Sequence, residues 1–289
     1  MDMKIFGIFG DPIEHSLSPA MQNAALHAIG EAGSYLAFRV RAEDLRAALI
    51  GAGAMGFSGL NLTIPLKEKA LELDVLEPDA LARAIGAVNT VSFSEGCIKG
   101  YNTDGWGAHL ALQEAGVAVR GKNVLLIGAG GAARAIAYTL HQEGARISIA
   151  NRNIKRAQEL AELVGAVSYS LSSLAEHVKQ ADIIINCTSV GMREGDPRLF
   201  EAGILKRDHV VFDIVYNRET QLLLDARAAG ALALDGVMML VHQGRKALEI
   251  WTGRKAPVDV MVRAVREALT ARQTASGRRE AFSAQETRE

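Results

Sequence analysis

The sequence predicts an α/β protein: two α/β lobes, the second doubly wound, followed by a C-terminal helical segment. Short apolar runs alternate with amphipathic stretches along the 289 residues, the pattern of βαβ units around parallel sheets. A glycine-rich loop, Gly128-Ala129-Gly130-Gly131-Ala132-Ala133, stands directly between an apolar run and a helical stretch. The length suits two domains at a soft prior of about 150 residues each.

Residues 4–9 read as a strand that ends at the turn Gly10-Asp11-Pro12. A helix starts at Ser18-Pro19, with Ser18 as N-cap and Pro19 at the first helical position. Strands are expected at 35–40, 60–64 and 88–93, with helices between them, and a helix over 106–115 joins the lobes. The second series opens on the buried strand 124–127, and the glycine loop starts a helix reaching about residue 143. Further parallel strands are expected at 146–150, 183–186 and 210–213. Residues 241–272 are helical, broken near Thr252-Gly253 and Ala256-Pro257, and the polar tail from Gln273 is expected to be disordered. The division is therefore an α/β lobe at 1–103, a connecting helix at 104–119, a dinucleotide lobe at 120–235, C-terminal helices at 236–272 and a tail at 273–289. Two lobes leave a cleft, where small ligands preferentially bind.

The charge balance, 32 Lys plus Arg against 33 Asp plus Glu, provides no basic excess and argues against nucleic acid as a partner. Cys97 and Cys187 are far apart and form no CxxC or zinc spacing, as in a protein of a reducing compartment. The first residues lack the features of a signal peptide, and no apolar run approaches the ~20 residues that span a bilayer. The expectation is a cytoplasmic protein without a membrane partner.

The glycine loop fits G-x-G-x-x-A of the Rossmann type. Gly128 makes the tight turn, Gly130 lets backbone approach a pyrophosphate, and Ala133 permits close helix–strand packing. A tight strand–helix turn alone could use the same glycines; the strand–loop–helix context favours a nucleotide. An NAD site usually carries Asp or Glu about 20 residues onward, on the ribose 2′-hydroxyl. Here that position reads Asn151-Arg152-Asn153-Ile154-Lys155-Arg156, with three cations and no acid. Cations at a helix start are unfavourable without an anion, so the segment favours NADP and its 2′-phosphate over NAD.

An oxidoreductase on this cofactor must deliver a proton to a carbonyl oxygen as hydride reaches the carbon. None of Tyr35, Tyr101, Tyr138, Tyr169 and Tyr216 is followed four residues later by Lys, and the seven histidines show no ligand spacing, so no catalytic metal is expected. A lysine acting with a carboxylate remains. Lys67 follows a strand ending at Pro65 and falls in a helix's first turn, where the dipole disfavours its charge. Asp104, in Gly100-Tyr101-Asn102-Thr103-Asp104-Gly105, is its candidate partner. A surface lysine and a helix-capping aspartate are the bland alternatives.

The segments Ser16-Leu17-Ser18-Pro19, Asn61-Leu62-Thr63-Ile64-Pro65-Leu66-Lys67, Gly86-Ala87-Val88-Asn89-Thr90 and Asn102-Thr103-Asp104-Gly105 come before the glycine loop. After it come Asn151-Arg152, the run Asn186 to Met192, Phe212-Asp213 with Tyr216-Asn217, Asp235-Gly236 and Gln243-Gly244. In this order, over about residues 4–270, the chain resembles the shikimate dehydrogenase family. The resemblance implies reversible NADPH-dependent reduction of 3-dehydroshikimate to shikimate, a step toward chorismate and the aromatic amino acids, by a monomer or homodimer. It implies Ser16 and Ser18 on the substrate carboxylate, and Thr63, Asn89, Asp104 and Gln243 on the ring hydroxyls. Lys67 transfers the proton beside Asp104, and Tyr216 reaches the substrate from the cofactor lobe. For NADP it implies Gly128, Ala129, Gly130, Gly131 and Ala132, then Asn151, Arg152, Asn153, Lys155 and Arg156, then Thr188, Ile214 and Gly236, with Met239 or Leu240 near the nicotinamide. Asn153 departs from a common Thr, Leu66 from an aromatic or His, Arg218 from Pro, Arg245 from a small residue and Leu248 from Phe. Arg245 in particular could alter the charge at the cleft mouth, which leaves quinate or an amino-shikimate as alternative substrates. A non-catalytic NADP sensor and a cysteine-thioester reductase are rivals of other kinds.

Overall fold

The structure, a computed structural model, describes residues 3–94 and 96–286, with side chains described through Arg272 and at Thr274. The first lobe comprises β1 (Lys4–Gly10), α1 (Ser18–Ala28), β2 (Gly33–Arg39), α2 (Leu45–Ala54), β3 (Phe57–Leu62), α3 (Leu66–Lys69), β4 (Glu77–Pro78), α4 (Ala80–Ile85), β5 (Thr90–Ser94) and β6 (Cys97–Tyr101). Then α5 (Asp104–Glu114) leads into β7 (Asn123–Ile127), α6 (Gly131–Gln142), β8 (Arg146–Asn151), α7 (Ile154–Val164), β9 (Val167–Ser170), α8 (Leu174–Gln180), β10 (Ile183–Asn186), β11 (Val210–Asp213), α9 (Gln221–Ala228) and β12 (Leu232–Leu234). The helices α10 (Val237–Thr252) and α11 (Val258–Glu286) follow.

The second sheet has the order β12-β11-β10-β7-β8-β9, with each pairing parallel. This is the doubly wound Rossmann order, and its switch point lies between β7 and β10. The central strands are covered on both faces, which is why 124–127 and 183–186 are unbroken apolar runs but for the terminal Asn186.

The first sheet, β2-β1-β3-β5-β6-β4, departs from the expected all-parallel pattern. β5 runs antiparallel to both β3 and β6. The hairpin partner β6 escapes a search for apolar runs because Cys-Ile-Lys-Gly-Tyr lies largely at the surface. Two other expectations change. The segment from Gln273, expected to be disordered, continues α11 to Glu286, and α10 begins at Val237, earlier than the expected 241.

The chain's end returns to its beginning. Val241 and Leu248 of α10 with Met261 and Val265 of α11 share one apolar core with Phe6, Ile8, Met21 and Ala25. Among the described residues no helix is long and apolar enough to cross a membrane. Helix α5 lies between α10 and α6 at backbone distance. A β-carbon on Gly107 would sit 2.8 Å from the Gln243 nitrogen, and one on Gly105 would sit 2.5 Å from the Ala135 carbonyl oxygen.

Candidate active site

The reversal of β5 gathers the polar residues. Asn61 of β3 is level with Thr90 at the start of β5, and Thr90 with Tyr101 at the end of β6. The outgoing end of β3, the incoming end of β5 and the outgoing end of β6 therefore share one sheet edge. Lys67, Asn89 and Asp104 leave the sheet at that edge.

Lys67 Nζ donates to Asp104 Oδ2 at 2.5 Å, with 16% of the lysine side chain and 4% of the aspartate exposed. Asp104 Oδ1 accepts from Asn89 Nδ2 at 2.8 Å. Asn89 also accepts from the Thr103 backbone, and Asp104 N donates to Asn102 Oδ1 at 3.0 Å. The Asp104 carboxylate thus faces the lysine and Asn89, while Thr103 occupies the N-cap position of α5. The dipole argument for Lys67 loses its basis, since α3 has only 4 residues. Asp104 is what acts on the amine.

A second polar group lies at the start of α1. The cap position there is Leu17, and Ser18, expected as N-cap, is already helical. The correction has a simple cause: Ser16 Oγ accepts from the Ser18 backbone at 3.2 Å, so Ser16 satisfies that donor. Burial raises the Tyr216 phenol, while the Arg272 charge and hydrogen bonding with Ser16 work the other way. Arg272 donates to the carbonyls of His15 and Ser16 at 2.6 and 2.9 Å. Tyr216 thereby reaches the first lobe, and α11 pins the loop that carries Ser16. Thr63 is half-buried with its methyl against Gly10. The Gln243 amide donates to Leu240 O of its own helix at 2.7 Å. Arg245 pairs with Glu249 at 3.0 Å and lies over the Trp106 ring, so its charge is taken up on α10 and α5.

Tyr35 and Asn61 were not picked out from the sequence, yet they join the two groups. Tyr35 Oη donates to Asn61 Oδ1 at 2.8 Å, and Asn61 Nδ2 donates to Asn89 O and Thr90 Oγ1, each at 3.1 Å. Burial holds the Tyr35 phenol well above its ordinary range, against a hydrogen bond with Ser18. A continuous buried network thus runs from Ser18 to Asp104. Tyr35→Phe leaves Asn61 Oδ1 buried without this donor and is expected to cost about 1–3 kcal/mol of stability, measured by urea unfolding. No change would mean that another donor takes over.

The opposite wall is the β7/β10 crevice. Gly128 turns there at φ 118°, and Gly130 occupies the cap position of α6 without a side-chain cap. No atom lies within 4 Å of where a Gly130 β-carbon would be. Free N–H groups and open space together fit a pyrophosphate. A β-carbon on Gly131 would lie 2.9 Å from Lys67 Cβ, which puts the lysine against this loop. Asn186 Oδ1 accepts from Thr188 N and Oγ1, and Ile214 N donates to Asn186 O. Asn153 caps α7 by accepting from Lys155 N at 3.1 Å, a task its carbonyl performs in place of the common threonine. Arg152 and Lys155 are exposed, whereas Arg156 pairs with Glu68. Met239 belongs to the core of the second lobe and Leu240 to that of the first, close to the seam between them.

Burial, with the Asp213 charge, pushes the Cys187 thiol up, which disfavours the thiolate that a thioester chemistry would need. Asp213 lies fully buried beneath the crevice, accepting from Asn186, Val215 and Thr220. Burial pushes its carboxyl from 3.8 up to about 6, against those hydrogen bonds. The ionised form is therefore the costly one in the fold. This contribution to stability is fully present below about pH 3.8 and is lost as pH rises through about 6, a span of about 3 kcal/mol. Asp213→Asn should remove it. Between pH 4 and 7 the unfolding free energy of the variant is expected to gain about 2 kcal/mol on the parent, most of that span. A difference that stays constant with pH would refute this account.

A Rossmann crevice with open space at Gly130, and a buried lysine–carboxylate pair packed against its glycine loop, are the equipment of a dinucleotide-dependent oxidoreductase. Three family models match in order: shikimate dehydrogenase substrate binding domain over 8–91, shikimate/quinate 5-dehydrogenase over 109–221, and shikimate 5′-dehydrogenase C-terminal domain over 236–266. The chain belongs to the shikimate dehydrogenase family. A shikimate dehydrogenase (NADP(+)) of Methanothrix thermoacetophila is 60% identical over 267 residues, 92% of this chain and 98% of that relative. The crystal structure of shikimate dehydrogenase from Aquifex aeolicus superposes with a TM-score of 0.87 at 40% identity, over 91% of this chain and 98% of that one. The Thermus thermophilus enzyme in complex with NADP(H) and shikimate gives 0.84 at 37%, over 92% of this chain and 100% of the other.

Proposed function

We propose that the chain interconverts 3-dehydroshikimate and shikimate with NADP(H), in the route to chorismate and the aromatic amino acids. The observation that carries this reading is the Lys67–Asp104 pair held against the pyrophosphate loop. NADPH, when bound by the glycine loop, Asn151–Arg156, Thr188, Ile214 and Gly236, supplies the hydride. Ser16 and Ser18, with the Tyr216 hydroxyl, hold the substrate carboxylate, where the start of α1 favours an anion. Asn89, Thr63, Asn61 and Gln243 hold ring hydroxyls. Lys67 Nζ gives its proton to the carbonyl oxygen in reduction and takes it back in oxidation, while Asp104 accepts from the amine and, once the alcohol has formed, from its hydroxyl.

The test is an absorbance assay of NADP⁺ reduction by the purified chain with shikimate. Turnover on shikimate supports the reading. Turnover on quinate without shikimate replaces the substrate and keeps the chemistry, and no turnover on either overturns both.

A further inference from the structure

Arg156 is one of the cations expected to hold the 2′-phosphate, yet its partner comes from the other lobe. Both carboxylate oxygens of Glu68 accept from Arg156 Nη2, at 2.6 and 2.7 Å. Glu68 follows Lys67 in α3, and Lys67 Cβ lies against Gly131. One helical turn of the substrate lobe therefore touches the pyrophosphate loop with one residue and the 2′ subsite with the next.

Sites that select the free ribose 2′-hydroxyl do so with an acid at the end of the second Rossmann strand. Here β8 ends without one, and an acid enters the same subsite from across the cleft. A 2′-phosphate arriving there meets a competitor for Arg156 and a like charge beside it; a 2′-hydroxyl meets neither penalty. The pair is partly exposed, with 45% of the Arg156 side chain and 37% of the Glu68 side chain open to solvent, so screening keeps the effect moderate.

We propose that Glu68 is a specificity-determining residue for the coenzyme, which occupies Arg156 and narrows the preference for NADP over NAD. This rests on the reading of Asn151–Arg156 as the 2′-phosphate site, and the two can fail separately. Calorimetric titration of the full chain with 2′,5′-ADP and with 5′-ADP tests that site: if the parent binds both equally, the site reading falls and the proposal with it.

If the parent prefers 2′,5′-ADP, Glu68→Gln is expected to bind it about three- to tenfold more tightly, with 5′-ADP affinity unchanged within about twofold. The ratio of kcat/KM for NADP⁺ over NAD⁺ rises by the same factor, and Glu68→Ala shifts it in the same direction. In an Arg156→Gln background the gain from Glu68→Gln is smaller than in the parent, because the competition for Arg156 is gone and only the like-charge repulsion is left to remove; an equal gain in both backgrounds overturns the proposal. Unchanged or weaker 2′,5′-ADP binding by Glu68→Gln overturns the proposal, as does equal tightening toward both nucleotides.

Discussion

Lys67→Ala is expected to lower kcat for shikimate oxidation about 10²–10⁴-fold, the usual worth of a positioned acid–base group. The substitution is clean for a structural reason. Lys67 meets the glycine loop through its β-carbon, which alanine retains, and its δ-carbon, which it does not, so the nearest part of the wall stays while the amine disappears. The KM for NADP⁺ should accordingly stay within about threefold of the parent, and added small primary amines should restore part of the rate. Steady-state kinetics decide the matter: a kcat within about threefold of the parent removes Lys67 from the chemistry.

Asp104→Asn is the second large effect. The asparagine can still accept from Asn89, but its amide then faces the Lys67 ammonium, donor against donor. Removing one partner from a buried ion pair typically costs about 3–5 kcal/mol. Applied to a geometry needed for turnover, this corresponds to a fall in kcat/KM of about 10²–10⁴-fold. Because Asn89 also leans on Asp104 Oδ1, the variant should lose stability as well as rate, with a lower thermal midpoint in a scan. An Asp104→Asn enzyme with both rate and midpoint unchanged would show that the carboxylate is not the lysine's working partner.

The sequence disclosed these two residues unevenly. Lys67 and Asp104 could be paired as candidates by elimination and by resemblance, but position along the chain does not show that they meet, because what joins them is the β5–β6 hairpin. β6 carries little apolar signal, and a reading tuned to βαβ units has no place for it. In the second lobe the strands with two covered faces were plain, whereas the edge strands β9 and β12 were missed, being only 4 and 3 residues long. The tail from Gln273 misled because its polar composition does not exclude a helix that continues one already started. Tyr35 and Asn61 were hidden for another reason. A tyrosine in a strand is ordinary, and nothing in its neighbours shows that its hydroxyl ends on an asparagine 26 positions away. The Glu68–Arg156 contact, 88 positions apart, belongs to the same kind: two surface charges whose meeting depends on how the lobes face one another.

The glycines of α5 set how closely its two neighbouring helices approach. Side chains at 105 and 107 would act as spacers; without them three helices lie backbone to backbone like the binding of a book. Asp104, at the head of α5, and Gln243, beside Gly107 on α10, are therefore held at a spacing that two backbones set rather than side chains.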